Sequence, residues 1–173
     1  MFRQDTVLSS PVTDTVAQFS IQLVAADPRK FSDPLTTSTR LPSSTGGLTV
    51  PFTVPFTIAS TVVSGSCSLV NSGNTTGPVR LRVAGPVTGP IITHDGTGAQ
   101  LVFASSLVLA AGEWIDIDME AHTVLANGTA SRSGYITQRG WSGFEPDVNV
   151  WAFTAQAYNT AALLSVTATP AWL

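Results

Sequence analysis

Apolar residues recur at every second position through most of this sequence, and a glycine or proline interrupts the alternation every few residues. Val79, Leu81 and Val83, for example, alternate with two arginines. An alternation of period two is typical of β-strands with one buried and one solvated face, and the 14 glycines and 11 prolines mark the ends of many short strands. The sequence therefore predicts an all-β fold with little or no helix, built from two antiparallel sheets packed as a β-sandwich.

Two hairpins are predicted from residues that favour tight turns. Residues 71–74, Asn-Ser-Gly-Asn, are expected to join a strand over residues 61–71 to the strand over residues 79–83. A second hairpin is expected between residues 114–118 and 123–126, because polar turn residues separate two short alternating segments. Further strands are predicted over residues 17–24, 48–57, 101–109, 148–154 and 162–169.

The length and composition restrict the class of protein. The chain has 173 residues, of which 43% are hydrophobic and 11% are charged, as expected for one domain with a substantial core rather than for a disordered chain. The net charge of −3 provides no basic surface for a phosphate backbone, which excludes nucleic acid as the main partner. So few charges leave a surface rich in threonine, serine and glycine, or one that other subunits cover.

Three segments are expected along the chain. Residues 1–26 are expected to form an N-terminal strand, residues 27–47 an extended connection rich in serine, threonine and proline, and residues 48–173 the β-sandwich. No apolar run approaches the roughly 18 residues that cross a bilayer, and residues 1–5 lack the pattern of a secretion signal. We therefore expect a chain that is made in the cytoplasm and has no membrane span.

Asp116 and Asp118 form the densest carboxylate pair in the sequence. Alternate residues of a strand share a face, so the two carboxylates are expected roughly 6–7 Å apart, a spacing that admits paired-carboxylate hydrolysis or two calcium ligands. The preferred interpretation is a solvated face opposite Ile115 and Ile117, because a glycosidase places its acid and its nucleophile across a cleft. Glycoside hydrolysis is the alternative.

The remaining candidates for chemistry are two histidines and one cysteine. His94 and His122 both occupy turn-like segments, and no G-x-S-x-G sequence accompanies them, so both are interpreted as surface turn residues rather than catalytic bases. Cys67 alternates with Leu69 and is interpreted as a small buried residue. A single cysteine forms no internal disulfide, and no Cys/His cluster is present to hold zinc. We therefore expect no catalytic residue, no metal and no cofactor.

Trp141 is the aromatic residue for which a binding role is considered. It lies between glycines, with Arg132 and Arg139 upstream, and an exposed indole beside arginines would stack on a sugar ring or on a partner protein. The alternative is that the indole folds back as a lid over one end of the sandwich. Trp114 and Trp151 lie within predicted strands and are expected in the core.

Four sequence motifs, in the same order along the chain, resemble the C-terminal domain of the distal tail proteins of siphovirus-type phages. Residues 71–92 are similar to a strand and turn of the form N-x-G … P-x-I-x-I-x-G-P, and residues 114–128 to a hairpin of the form L-x-I-D … V-x-x-N-G. Residues 141–150 resemble a W … L-x-P-G-x-N-x-I turn, with Asp147 in place of glycine, and residues 27–30 resemble the tetrad that opens this domain.

The resemblance implies a function as well as a fold. Members of this family are minor tail proteins of the tail tip or baseplate, and their C-terminal domain is a galectin-like or jelly-roll-like sandwich. The resemblance implies a structural protein of the virion rather than an enzyme, with tail tube and tail hub proteins as partners and a role in tail assembly and host attachment. It also implies a homo-oligomer, a hexamer where a ring domain is present, with residues 1–26 as the remnant of that domain. The alternative is a carbohydrate-binding module for host cell-surface glycans.

Overall fold

The computed structural model describes residues 27–42, 65–157 and 159–173 in full, together with the backbone of four short strands before residue 27. The chain divides into two compact units. The first comprises Met1–Lys30 with Leu173, and the second comprises Phe31–Trp172. Every candidate functional residue from the sequence analysis belongs to the second unit.

The first unit contains two antiparallel strand pairs. Strand β1 (Phe2–Arg3) pairs with β4 (Leu23–Val24), and β2 (Leu8–Thr13) pairs with β3 (Val16–Ser20). The single strand predicted over residues 17–24 thus corresponds to two strands, β3 and β4, each of which has its own partner.

The strands that follow are mostly short and are separated by turns. In chain order they are β5 (Lys30–Phe31), β6 (Leu35–Arg40), β7 (Gly65–Asn71), β8 (Val79–Ala84), β9 (Val87–His94), β10 (Ala99–Phe103), β11 (Val108–Leu109), β12 (Trp114–Asp118), β13 (Thr123–Ala126), β14 (Ala130–Ser131), β15 (Ile136–Arg139), β16 (Asp147–Ala157), β17 (Leu163–Ala168) and β18 (Ala171–Trp172). One turn of 3-10 helix, Ser133–Tyr135, precedes β15. No helix in the described part of the chain is long and apolar enough to span a membrane.

Two antiparallel six-stranded sheets form the body of the second unit. Sheet I has the strand order β15-β10-β9-β16-β7, with β11 paired to β9, and sheet II has the order β14-β13-β12-β8-β17-β6. Their inward side chains belong to one core, in which Trp151 and Phe153 of sheet I and Ile115 and Leu164 of sheet II are fully buried. The all-β sandwich predicted from the alternation is confirmed.

The alternation in β8 shows why these segments form strands in this register. Val79, Leu81 and Val83 are buried, whereas Arg80 and Arg82 are exposed. Burying each of the three apolar side chains stabilises the fold by roughly 1.5–3 kcal/mol. A shift of the register by one residue would turn all three into solvent and both arginines into the core, so the pattern of the sequence selects the register.

The first predicted hairpin is wrong, because its two strands lie in different sheets. β7 pairs with β16 in sheet I, whereas β8 pairs with β12 and β17 in sheet II. The buried Asn71 side chain holds the segment that crosses between them. Its Nδ2 donates to the carbonyl oxygens of Phe144 at 2.7 Å and Thr75 at 3.1 Å, and its Oδ1 accepts from the backbone N–H of Gly73 at 2.8 Å. Turn composition indicated a change of direction but not the partner strand.

The extended connection predicted over residues 27–47 contains a strand of the sandwich. β6 is the edge strand of sheet II and pairs with β17 along its whole length. Threonine favours extended backbone because it is branched at Cβ, and an edge strand with mostly exposed side chains shows no apolar alternation. The stripe predicted over residues 48–57 lies outside the described residues, and the three predicted segment boundaries stay predictions.

The second predicted hairpin is confirmed. β12 pairs with β13 in antiparallel register, and the turn between them places His122 at a φ of 55°. The next turn uses Asn127 at φ 48° and Gly128 at φ 77°. Asparagine and glycine are the residues that adopt positive φ most readily, so this part of the fold follows directly from the local sequence.

Candidate functional site

The outer face of sheet II carries two cross-strand pairs of charged side chains, and the exposed Arg40 lies on the same face at the end of the edge strand β6. Strands β8 and β12 are neighbours, and their register sets Arg82 opposite Asp116 and Arg80 opposite Asp118. Because alternate residues of a strand share a face, all four side chains lie on the side opposite the core. We call these four residues the arginine–aspartate ladder.

Each pair of the ladder is joined by charge-assisted hydrogen bonds. Arg82 donates from Nε to Oδ1 of Asp116 at 2.6 Å and from Nη2 to Oδ2 at 3.2 Å, and Arg80 donates from Nε to Oδ2 of Asp118 at 3.1 Å. Because the Asp116 carboxylate accepts hydrogen bonds from the charged guanidinium, it holds the pKa of Arg82 above its usual value. Both arginine side chains stay largely exposed, at 78% for Arg80 and 57% for Arg82.

The indole of Trp114 extends the ladder at one end. Its Nε1–H donates to Oδ2 of Asp116 at 3.1 Å, and the guanidinium carbon of Arg82 lies 5.5 Å from the centroid of the indole ring, within range of a cation–π contact. The prediction that Trp114 lies in the core is wrong, because its position in β12 shares the outer face with the aspartates while the isoleucines between them face inward. The same prediction for Trp151 is confirmed.

Hydroxyl groups continue the ladder across sheet II. The register places Ser165 beside Arg82 and Thr167 beside Arg80, and the hydroxyl groups of Thr167 and Thr36 share a hydrogen bond of 3.2 Å. Two shallow depressions flank the arginines, one of about 330 Å³ towards β17 and one of about 350 Å³ towards β12 and β13. The face therefore presents cationic donors, anionic acceptors and hydroxyl groups on one surface.

The two aspartates do not have the arrangement that a glycosidase uses. Both carboxylates lie on one strand, each accepts hydrogen bonds from an arginine, and Oδ1 of Asp118 also accepts from the backbone N–H groups of Glu120 and Ala121. The acid and the nucleophile of a glycosidase face each other across the bond that they cleave. Among the described residues, no group of three or more His, Cys, Asp or Glu side chains is placed to hold a metal ion.

Trp141 lies in the loop before β16 and is partly buried against the core. The imidazole of His122 stacks on its indole, with ring centroids 4.8 Å apart and an interplanar angle of 21°, so one ring face is covered. The guanidinium of Arg132 lies 5.9 Å from the ring centroid of Tyr135 instead, and Arg139 is exposed at the end of β15. Among the described residues, neither arginine makes a cation–π contact with the indole.

His94 is buried, and its interpretation as a surface turn residue is wrong. Its Nε2 lies 3.0 Å from Oδ1 of Asn149, its Nδ1 lies 2.8 Å from the hydroxyl of Thr97, and its ring centroid lies 5.3 Å from that of Trp151. The composition after residue 94 suggested a turn, but β9 runs through His94, which shares the inward face with Ile92. The interpretation of His122 as a residue at the hairpin tip agrees with its position.

The loop that contains Trp141 is held by buried polar side chains. Asn149 accepts from the backbone N–H of Glu145 at 3.0 Å and donates to the carbonyl oxygen of the same residue at 2.7 Å, and Asn71 donates to the carbonyl oxygen of Phe144. Neither asparagine was predicted from the sequence to have a structural role. Their positions could have indicated this role, because each asparagine occupies an inward-facing position near one end of an alternating strand.

Cys67 is confirmed as a small buried residue. Its Sγ lies 3.9 Å from the carbonyl oxygen of Trp151, and its side chain is packed in the common core. Desolvation by burial raises the pKa of the thiol to about 11. The thiolate, which is the nucleophilic form, is therefore scarce at neutral pH.

The outer face of sheet I contrasts with the ladder. Val70 and Val148 lie opposite each other there and are 56% and 64% exposed. The outward side chains of the four neighbouring strands β7, β16, β9 and β10 are apolar or neutral, and none is ionisable. They include Ser66, Ser68, Val70, Val148, Val150, Ala152, Thr154, Thr88, Ile91, Thr93, Gln100 and Val102. We call this surface the uncharged face.

These observations define the class of the protein by its fold, an antiparallel β-sandwich with one charged and one uncharged outer face. Comparison with protein-family models and with curated protein sequences returns no match. Among solved structures, the chain is similar to the crystal structure of the SPP1 Dit (gp 19.1) protein, described as a paradigm of the hub adsorption apparatus in phages that infect Gram-positive bacteria.

The similarity to the SPP1 Dit protein covers 98% of this chain and 58% of that one, with a TM-score of 0.63 and 13% sequence identity. This chain therefore spans less than two thirds of the length of the SPP1 protein. At this identity the likeness establishes a common fold.

Proposed function

We propose that this chain is a structural component of a phage tail tip, the outer sandwich of a distal tail protein that mediates tail assembly and host attachment. The observation that carries the proposal is the fold likeness to the SPP1 Dit protein, because it extends over 98% of the chain. The four sequence motifs in residues 27–150 support the same family. A tail protein is a permanent part of the virion, so its surface serves contacts with neighbouring subunits.

The uncharged face of sheet I is the surface that suits such contacts. The cores of protein interfaces are depleted of charged residues, and this face could be buried without the desolvation of a charged side chain of its own. Val70 and Val148, each more than half exposed, would be covered by a neighbour. In this proposal the neighbours are tail tube and tail hub proteins and further copies of the chain, in a homo-oligomer that is hexameric where a ring domain is present.

In this role the protein makes and breaks no covalent bond. The ladder carboxylates support this part of the proposal, because each is bound to an arginine rather than aimed across a cleft. The buried thiol of Cys67 supports it as well, because the raised pKa disfavours the nucleophilic thiolate.

The proposal is tested on virions that contain this chain. Immunogold labelling with antibodies against the purified chain is expected to mark the distal end of the tail. Mass spectrometry of disrupted virions is expected to find the chain in one complex with tube and hub proteins. Labelling restricted to the capsid, or absence of the chain from purified virions, would contradict the proposal.

The role of the uncharged face is tested by co-sedimentation with tail tube and hub proteins. Val148→Asp is expected to weaken co-sedimentation, because the contact would then bury an unpaired charge. Thr36→Asp is the matched control, since Thr36 is an exposed position on an edge strand of sheet II. Equal binding by both variants would exclude the uncharged face and leave the tail assignment to the labelling experiment.

Recognition of host cell-surface glycans around Trp141 stays a prediction. The indole is partly buried and His122 covers one ring face, which disfavours a stacking platform at this loop. A fluorescence titration with cell-wall glycans would support the prediction if Trp141→Phe removed the response and Trp172→Phe did not.

A further inference from the structure

Asn127 is the only asparagine in the sequence that is followed by glycine. The two residues form the exposed turn between β13 and β14, with Asn127 at φ 48° and Gly128 at φ 77°. The backbone nitrogen that follows an asparagine is a nucleophile for the amide carbon of that side chain. It approaches this carbon most easily when the next residue has no Cβ. The pair therefore has the residue types for a reaction within the chain.

The turn leaves the Gly128 nitrogen unengaged. Among the described residues, none accepts a hydrogen bond from its N–H, whereas the N–H groups of Asn127 and Thr129 on either side donate to the carbonyl oxygens of Trp114 and Ala126. The space beside Gly128 is open as well, since a Cβ there would meet nothing within 4 Å apart from its chain neighbours. The turn is thus held at both sides of a nitrogen that has no partner and no cover.

The side-chain amide of Asn127 is held by strand β12. Its Oδ1 accepts from the backbone N–H of Trp114 at 3.1 Å, and the backbone N–H of Asn127 donates to the carbonyl oxygen of Trp114 at 3.0 Å. An N–H that points at a carbonyl oxygen stabilises the negative charge which that oxygen gains when its carbon is attacked. The neighbouring strand therefore activates the amide carbon that the Gly128 nitrogen would attack.

We propose that Asn127 is a site of spontaneous deamidation, a modification that lies outside the proposed structural role. The Gly128 nitrogen loses its proton to water and forms a bond to Cγ of Asn127, and the side-chain nitrogen takes up a proton and leaves as ammonia. Water then opens the resulting succinimide ring at one of its two carbonyl carbons. One opening gives aspartate, and the other gives isoaspartate, in which the main chain runs through Cβ.

The two products are expected to differ in their effect on the sandwich. Aspartate keeps the main chain and an oxygen that accepts from Trp114, and it adds one negative charge to the net charge of −3. Isoaspartate lengthens the main chain inside the turn that joins β13 to β14, whose register sets Ala126 opposite Ala130. The length of a turn fixes the register of the strands that it joins. The isoaspartyl form is therefore expected to loosen β14.

The experiment is an incubation of the purified full chain in neutral buffer at body temperature for several weeks, followed by peptide mapping with mass spectrometry. Deamidation is measured from the mass change that accompanies replacement of the amide nitrogen by oxygen, and electron-transfer fragmentation distinguishes isoaspartate from aspartate. Both products are expected at Asn127.

Asn159 is the matched control within the same chain. It is also an exposed asparagine, and its Oδ1 also accepts from a backbone N–H, that of Ala161 at 3.0 Å, but it is followed by threonine. Asn127 is expected to lose its amide about tenfold faster than Asn159 or more, because the branched side chain of threonine hinders the approach of its own nitrogen.

Two variants test the reaction path. Asn127→Gln is expected to abolish the reaction at this position, because glutamine places its amide carbon one bond further from the Gly128 nitrogen. Thr160→Gly gives Asn159 a following glycine and is expected to raise the rate at Asn159 about tenfold or more. Thermal unfolding of each variant before incubation reports whether it is folded.

Three results would overturn the deamidation site. The first is an intact amide at Asn127 after the full incubation. The second is loss of the amide at Asn127 no faster than at Asn159. The third is aspartate as the sole product, which would indicate direct hydrolysis without a succinimide. None of these results bears on the labelling of virions, so the deamidation site and the tail-tip role can fail separately.

Discussion

Nε2 of His94 lies 3.0 Å from Oδ1 of Asn149, inside the sandwich and beside the ring of Trp151. The same oxygen accepts from the backbone N–H of Glu145, and Nδ2 of Asn149 donates to the carbonyl oxygens of Glu145 and Asp147. One buried amide side chain thus joins β9, β16 and the loop before β16. Because the loop has no apolar alternation of its own, these hydrogen bonds are expected to contribute strongly to its conformation.

Replacement of Asn149 tests this dependence. Asn149→Ala is expected to lower the free energy of unfolding by about 3 kcal/mol, because it leaves several buried donors and acceptors without a partner. Ser68→Ala, at an exposed position of the adjacent strand, is the control and is expected to change stability by less than about 0.5 kcal/mol. Urea denaturation measures both. A loss below about 1 kcal/mol for Asn149→Ala would show that the loop is held by other contacts.

Gly77 occupies a place where the chain has no room for a side chain. A Cβ there would overlap the carbonyl oxygen of Thr169, and the Gly77 backbone exchanges two hydrogen bonds with Phe144. Gly77→Ala is expected to destabilise the protein by about 2 kcal/mol or more through overpacking.

Gly134→Ala is the matched control for this change, because a Cβ at Gly134 would meet open space. Its stability is expected to be unchanged or slightly raised, since alanine restricts the unfolded chain. Thermal unfolding of both variants measures the difference, and equal midpoints would refute the steric argument.

Because Cys67 is buried, the protein is expected to lose part of its stability at alkaline pH. The pKa of its thiol rises from 9.0 to about 11 in the folded protein, so between pH 9 and pH 11 the unfolded chain binds fewer protons than the folded one. The stability contributed by the neutral thiol is therefore complete below pH 9 and is lost as the pH rises through this range.

Cys67→Ala is expected to remove this loss. The difference in unfolding free energy between the unsubstituted protein and the variant should be constant below about pH 8 and should shrink from pH 9 to pH 11. Urea denaturation at a series of pH values measures it. A difference that stays constant to pH 11 would show that the thiol is more exposed to water than its packing indicates.

The pair of Arg82 and Asp116 is expected to contribute modestly to stability, because both side chains are partly exposed. A double-mutant cycle with Arg82→Gln and Asp116→Asn should give a coupling of about 0.5–1 kcal/mol at low salt, with a decrease at about 1 M salt. Arg139→Gln combined with Asp116→Asn is the control and should be additive. A coupling that is insensitive to salt would indicate a desolvated pair.

Local rules were sufficient where a residue's role depends on its own strand or turn. The alternation predicted the inward and outward sides of β8 and β12 correctly, and the Asn127–Gly128 sequence predicted a turn with positive φ. They failed for Trp114, because aromatic residues were assigned to the core by type rather than by position. Its position, two residues before Asp116 on the same strand, was the better guide.

The alternation of the sequence predicted only part of the candidate site. The sequence places Arg80 and Arg82 on one face of a strand and Asp116 and Asp118 on one face of another, but nothing local says that these strands are neighbours. Likewise, the sequence indicated a turn after Asn71, but it did not indicate that the next strand, β8, belongs to the opposite sheet. The Asn149 network was missed because its partners lie in a loop without periodic pattern.

The amino-acid sequence by itself determined that the chain is all-β, where strands such as β8, β12 and β17 lie, and which side chains of the regularly alternating strands face the core. These properties follow from the pleat of the backbone, which sends successive side chains to opposite sides whatever the partner strand is. Only the tertiary structure decided that the arginines of β8 meet the aspartates of β12 and that His94 is buried. Such pairings depend on contacts between residues far apart in the chain, and no local segment contains the energies of those contacts.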